Sequence, residues 1–109
     1  MSTRLLTETY LLNLLLRDAA HGKPGLSIAQ LRARIEDQLA GRWSPPATLA
    51  YQIAGRLERT GAITVVETAP RTYQITQEGA ERCKTLSTAL RPELRQTIAV
   101  FRRALKAIS

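Results

Sequence analysis

A mainly α domain with one small β-hairpin is predicted by three features of this 109-residue sequence. Four stretches carry apolar residues three or four apart, the spacing of a buried helix face. Between the third and fourth lie two β-rich runs, Ile63-Thr64-Val65-Val66 and Thr72-Tyr73-Gln74-Ile75, joined through a turn at Ala69-Pro70-Arg71. Serine, threonine, glycine and proline stand where the helices should begin and end. With 44% hydrophobic and 23% charged residues, and no repeat or linker, the chain reads as one domain. A domain of this size is only marginally stable alone, and dimerisation is a common remedy.

Helix one is expected over residues 4–19, RLLTETYLLNLLLRDA, which no Gly or Pro interrupts. Its leucines cover more than one face, so it must be buried on more than one side. The second side is expected to meet another subunit. The loop HGKPG follows at 21–25. Ser27 and Gln30 then form a capping-box pair. They open helix two, about 28–39, with Ile28, Leu31, Ile35 and Leu39 on one stripe and Gly41 as its stop. Helix three is expected over 45–60, with Ser44 as N-cap and Pro45 and Pro46 in the first turn, where a missing N–H costs nothing. Its apolar stripe is Ala50, Ile53, Ala54 and Leu57, and Gly61 closes it. After the hairpin, Thr76 should cap a final helix. Its seam is Leu86, Leu90, Leu94, Ile98, Phe101, Leu105 and Ile108, with a kink or break at Pro92.

Helix, helix, helix, hairpin, helix is the winged helix-turn-helix order. The expected division is 1–76 for helix one, the helix-turn-helix and the wing, and 77–109 for the C-terminal helix or helices.

Net charge is +7, which favours a polyanionic partner. The excess is local. Residues 1–81 hold nine basic and eight acidic side chains, whereas 82–109 hold seven basic and one acidic. The single Cys83 and single His21 preclude an internal disulfide or a Cys/His metal set. No nucleophile–base pair or Gly-rich phosphate loop is present, so no enzyme and no cofactor is expected. The longest apolar run near the start, YLLNLLL at 10–16, is far short of a membrane span. Neither a secretory signal nor a membrane partner is expected, and the cytoplasm is the expected location.

Three segments resemble the PadR family of winged-helix transcription regulators. They are Ser44-Pro45-Pro46-Ala47-Thr48-Leu49-Ala50-Tyr51, then Leu57-Glu58-Arg59-Thr60-Gly61-Ala62-Ile63, then Tyr73-Gln74-Ile75-Thr76-Gln77-Glu78-Gly79. MarR-like winged helices share the last two. The resemblance implies a homodimer joined through helix one and the C-terminal helix. The apolar positions there include Leu5, Tyr10, Leu12, Leu90, Leu94, Ile98, Phe101 and Leu105. It also implies that helix three enters the major groove while the wing tip touches the backbone or minor groove. Family members are associated with small-molecule effectors, but no polar constellation in this chain names a ligand.

Candidate DNA-contacting residues follow from position. Thr48, Gln52, Arg56 and Arg59 lie toward helix three's outer side, with Tyr51 at its edge and Ser44 at its start; Gln52 is best suited to a base edge, while Arg56 and Arg59, deeper along the helix, suit phosphate contact or solvent. Arg71 sits at the wing tip, and Arg42 and Lys23 are phosphate candidates in loops. Trp43 reads as a packing anchor or a stacking residue, and Cys83 as a small apolar helix residue. The basic C-terminal segment is either a solvated flank or an auxiliary phosphate contact. The expected function is a sequence-specific DNA-binding regulator, a dimeric repressor on a pseudo-palindromic operator in double-stranded DNA. The alternatives are a winged-helix adaptor for another protein and a plasmid partition protein.

Overall fold

In a computed structural model, which describes residues 3–22 and 25–109, seven elements follow in order. They are α1 (Thr3–Ala20), β1 (Leu26–Ser27), α2 (Ile28–Gln38), α3 (Ala47–Arg59), β2 (Ile63–Thr68), β3 (Arg71–Ile75) and α4 (Gln77–Ile108). The molecule is mainly helical with a small antiparallel sheet, as predicted, and is consistent with a winged helix.

Helix α1 is the hub. It packs on α2, α3, β3 and α4, and these neighbours bury Leu11, Leu12, Leu14 and Leu15 within one chain. The chain itself thus buries much of the side that was expected to meet another subunit, and α4 lies along α1. The rest of the core comes from Leu31 and Ile35 of α2, Ala50, Ile53, Ala54 and Leu57 of α3, Ile63, Tyr73 and Cys83.

Helix α2 starts on the expected capping box: the Ser27 hydroxyl accepts from the Gln30 N–H, and the Gln30 side chain accepts from the Ser27 N–H. It ends in a left-handed turn. The Gly41 N–H reaches the Glu36 carbonyl and the Ala40 N–H the Asp37 carbonyl, the paired pattern that satisfies terminal carbonyls. Ala40, not Gly41, takes the first left-handed position, at φ +55°.

The start of α3 differs from expectation. Pro46 is its N-cap, at φ −55° and ψ 143°, and no side chain caps the helix. Ser44 is therefore not the cap. A residue that precedes proline is disfavoured in the α region, which keeps Pro45 out of the helix, and Pro46 itself is extended at ψ 143°, so the first helical residue is Ala47. Pro45 instead is buried, and its carbonyl accepts from Arg32 Nε at 2.7 Å, which ties α2 to the approach of α3. At the other end Gly61, at φ +82°, closes α3 as predicted.

The sheet has three strands in the order β1-β3-β2, all antiparallel. The hairpin is the predicted one. The third strand, which pairs Leu26 with Tyr73 and Ser27 with Thr72, was not predicted. Two residues are too short for an alternation to show, and only the placement of β3 makes them a strand.

Thr76 joins three elements. Its hydroxyl accepts from the Gly79 N–H to cap α4 and donates toward the carbonyls of Gly61 and Ala62 in the turn after α3. Gly79 lies flat on that turn, where an added Cβ would stand 2.0 Å from the Ala62 carbonyl oxygen. Helix α4 then runs 32 residues through Pro92 as one helix, which excludes the expected break into two. Pro92 and Thr88 are exposed, so water can solvate the Thr88 carbonyl that lacks its usual partner. The helix outruns the body. Beyond Thr97 every residue is exposed, and Phe101, Leu105 and Ile108 are 68%, 69% and 85% accessible.

The Gly79 contact yields a test. Gly79→Ala should destabilise the fold by about 1–3 kcal/mol, the range for overpacking against a backbone that cannot yield, measured by urea denaturation.

Candidate nucleic-acid interface

Helix α3 presents two faces set by its 3.6-residue period. Ala50, Ile53, Ala54 and Leu57 are buried. Thr48, Gln52 and Arg59 project from the opposite side and are exposed. Tyr51 stands at one edge and is 58% accessible, while its neighbour Ala50 is in the core. The first turn contains no acid and no side-chain cap, so its N–H groups and positive helix-dipole end face outward unneutralised.

Arg56 stands on the other edge, and its role differs from the sequence expectation. Its Nη2 donates to Glu8 Oε2 of α1 at 3.2 Å. Arg82 of α4 takes the other oxygen, with Nε at 2.8 Å and Nη2 at 2.7 Å from Glu8 Oε1. Glu8 is only 3% exposed, whereas both arginine side chains are nearly half exposed. A buried carboxylate must be paired to be tolerated, and here two cations from two helices share it. Arg56 is thereby held against α1, away from the outward row. Sequence reasoning missed Glu8, although a signal existed: Glu8, Leu11, Leu12 and Leu15 share one face of helix one, so an acid lay within an apolar stripe.

Arg71 begins β3 at the hairpin turn, as expected. Its Nη1 lies 3.6 Å from Glu58 Oε1 near the end of α3, an exposed pair that screening makes weak. The pair draws the wing turn alongside α3. Arg42 is exposed in the connection before α3, and Ser44 is half-buried there. Lys23 lies outside the described residues. Trp43 is half-buried against the core, the packing-anchor position, and Cys83 is buried. His21 is exposed at the end of α1.

The residues expected at a subunit interface separate into two groups. Leu12 and Leu90 are buried inside the single chain. Leu5, Tyr10 and Leu94 are partly buried, and the Tyr10 hydroxyl donates to Gln38 Oε1. Ile98, Phe101 and Leu105 are exposed. Between α1 and α4 an open groove of about 270 Å³ is lined by Leu6, Tyr10, Leu90 and Leu94, among others. Among the described residues no helix is long and apolar enough to cross a membrane.

Glu8→Gln should lower stability by roughly 1–3 kcal/mol. That is less than the loss expected when a wholly buried pair is broken, because both arginines can be rehydrated. Chemical denaturation compared with an Arg82→Gln variant checks this, and the double variant should lose less than the sum.

The chain matches no family model and no curated protein. A solved structure of a transcriptional regulator from Clostridium thermocellum, Cth-833, has a similar fold. The TM-score is 0.66 over 92% of this chain and 93% of that one, at 23% sequence identity. At that identity the likeness establishes the fold.

Proposed function

We propose that this protein is a sequence-specific DNA-binding transcription regulator of PadR-like type, acting as a dimeric repressor. The observation that carries the reading is the outward row Thr48, Gln52 and Arg59 on α3, set beside the hairpin turn on a winged-helix frame. A helix of this size fits the major groove, where glutamine reads adenine and arginine reads guanine. The uncapped first turn of α3 suits a phosphate. Arg42 and Arg71 flank the helix at positions suited to backbone contact. Arg71 would exchange Glu58 for a phosphate at little cost, since their exposed pair is weak.

The dimer would be formed by the projecting half of α4. Leu94, Ile98, Phe101, Leu105 and Ile108 recur three and four residues apart, and a stripe this exposed invites cover. The groove between α1 and α4 continues it. A two-fold dimer would meet half-sites about one helical turn apart, roughly 34 Å.

The pairing of Arg56 with Glu8 and of Arg71 with Glu58 favours one other reading, an adaptor that docks on a protein. It leaves the outward side of α3 less basic than the composition implies.

Genomic fragments selected on the protein, followed by mobility shift, separate the two readings. The regulator should select a pseudo-palindromic site. Its log affinity should fall with log salt at about −0.9 per phosphate neutralised. Gln52→Ala should relax discrimination at one position of each half-site by about 1–3 kcal/mol. Arg71→Ala should weaken all sites alike and flatten the salt slope by about 0.9 per arginine. Fragments held no better than random DNA at moderate salt would exclude the regulator. Phe101→Asp should shift the protein toward monomer in sedimentation and weaken operator binding with it.

A further inference from the structure

Five of the six glycines have an evident reason within the chain. Gly22, Gly25, Gly41 and Gly61 have positive φ, and Gly79 has no room for a Cβ. Gly55 has neither reason. It sits in the middle of α3 with ordinary helical backbone. A Cβ there would meet only Arg59 Nη1, at 3.4 Å, an ordinary contact with the far end of a flexible side chain. Glycine inside a helix is less stable than alanine, because its unfolded backbone is freer. The chain therefore carries a weakened helix at a point where packing does not ask for one.

Its position suggests the reason. On a 100° step, Gly55 lies three residues after Gln52 and four before Arg59, on the outermost line of α3, opposite Ala50, Ile53, Ala54 and Leu57. The row is thus Thr48, Gln52, Gly55, Arg59, with a gap at its third place. Gln52 and Arg59 are about 10.5 Å apart along the axis, about three base-pair steps, and the gap falls between them. In the free protein the Arg59 guanidinium lies over that gap.

We infer that Gly55 is a specificity-determining position. It lets the α3 backbone sit against the base edges of a duplex major groove, so that Gln52 and Arg59 reach bases on either side. This rests on the DNA-binding reading above. A Cβ at Gly55 would hold the helix off the bases and lengthen both contacts, while leaving phosphate contacts from Arg42 and Arg71 in place.

The test is Gly55→Ala in the 109-residue chain. Melting temperature is measured alongside affinity for the fragment that wild type selects and for a random duplex at low salt. The variant should melt roughly 2–8 °C higher. It should bind the selected fragment at least about tenfold more weakly, as expected for loss of a well-placed base contact. Random-duplex affinity should stay within about twofold, since phosphate contacts govern it. Selected-fragment affinity within about threefold of wild type would overturn the inference. So would a lower melting temperature, since the fold itself would then need the glycine. If wild type selects no sequence at all, the DNA-binding reading fails and this one with it. If wild type selects a site that Gly55→Ala keeps, this one fails alone.

Discussion

Among the described residues two carboxylates, Glu8 and Asp18, are buried, and that of Glu8 ties three helices together. Glu8 lies within the apolar side of α1, and its two oxygens are taken by Arg56 of α3 and Arg82 of α4. An unpaired charge there would cost several kcal/mol, so α3 and α4 cannot leave α1 independently without exposing or stranding it. Apolar packing also joins α1 to both helices. The charge contact adds directional bonds, because hydrogen-bond strength falls off steeply with distance and angle. Glu8 thus links α3 and α4 through α1.

The same contact redistributes charge. Arg56 would have added a cation to the outward side of α3, and it is committed inward. Arg71 is half committed to Glu58. What remains outward on α3 is an uncapped helix start, Thr48, Tyr51, Gln52 and Arg59. Such a face favours recognition over bulk attraction. The unpaired positive excess lies far along α4, where Arg95, Arg102, Arg103 and Lys106 flank the exposed stripe of Ile98, Phe101 and Leu105.

Local signals in this chain were legible where one or two residues suffice to satisfy a backbone group. The Ser27 and Gln30 capping box, the Thr76 cap and the Gly61 stop are of this kind. So were the core stripe of α3 and the hairpin, because periods of 3.6 and 2 survive any tertiary setting. The proline pair starts α3 two residues later than the Ser44 cap implies, because Pro45 precedes a proline and Pro46 is itself extended. Pro92 does not split α4, since a helix in solvent can forgo one bond. Of the candidate site, Thr48, Tyr51, Gln52 and Arg71 fell on the exposed side or the turn as expected, while Arg56 did not.

What the sequence by itself determined was the order of the helices and the hairpin, the caps of α2 and α4 and the buried stripes of α2 and α3, because these depend on residues within one or two turns of each other. Only the tertiary structure decided which charges meet and which surfaces stay open. Glu8 and Arg56 are 48 residues apart, and Glu8 and Arg82 are 74. The pairing of Leu26 with Tyr73 spans a similar distance. No local pattern specifies such partners. They are chosen when apolar burial brings α1 against both α3 and α4, and Glu8 then meets Arg56 and Arg82.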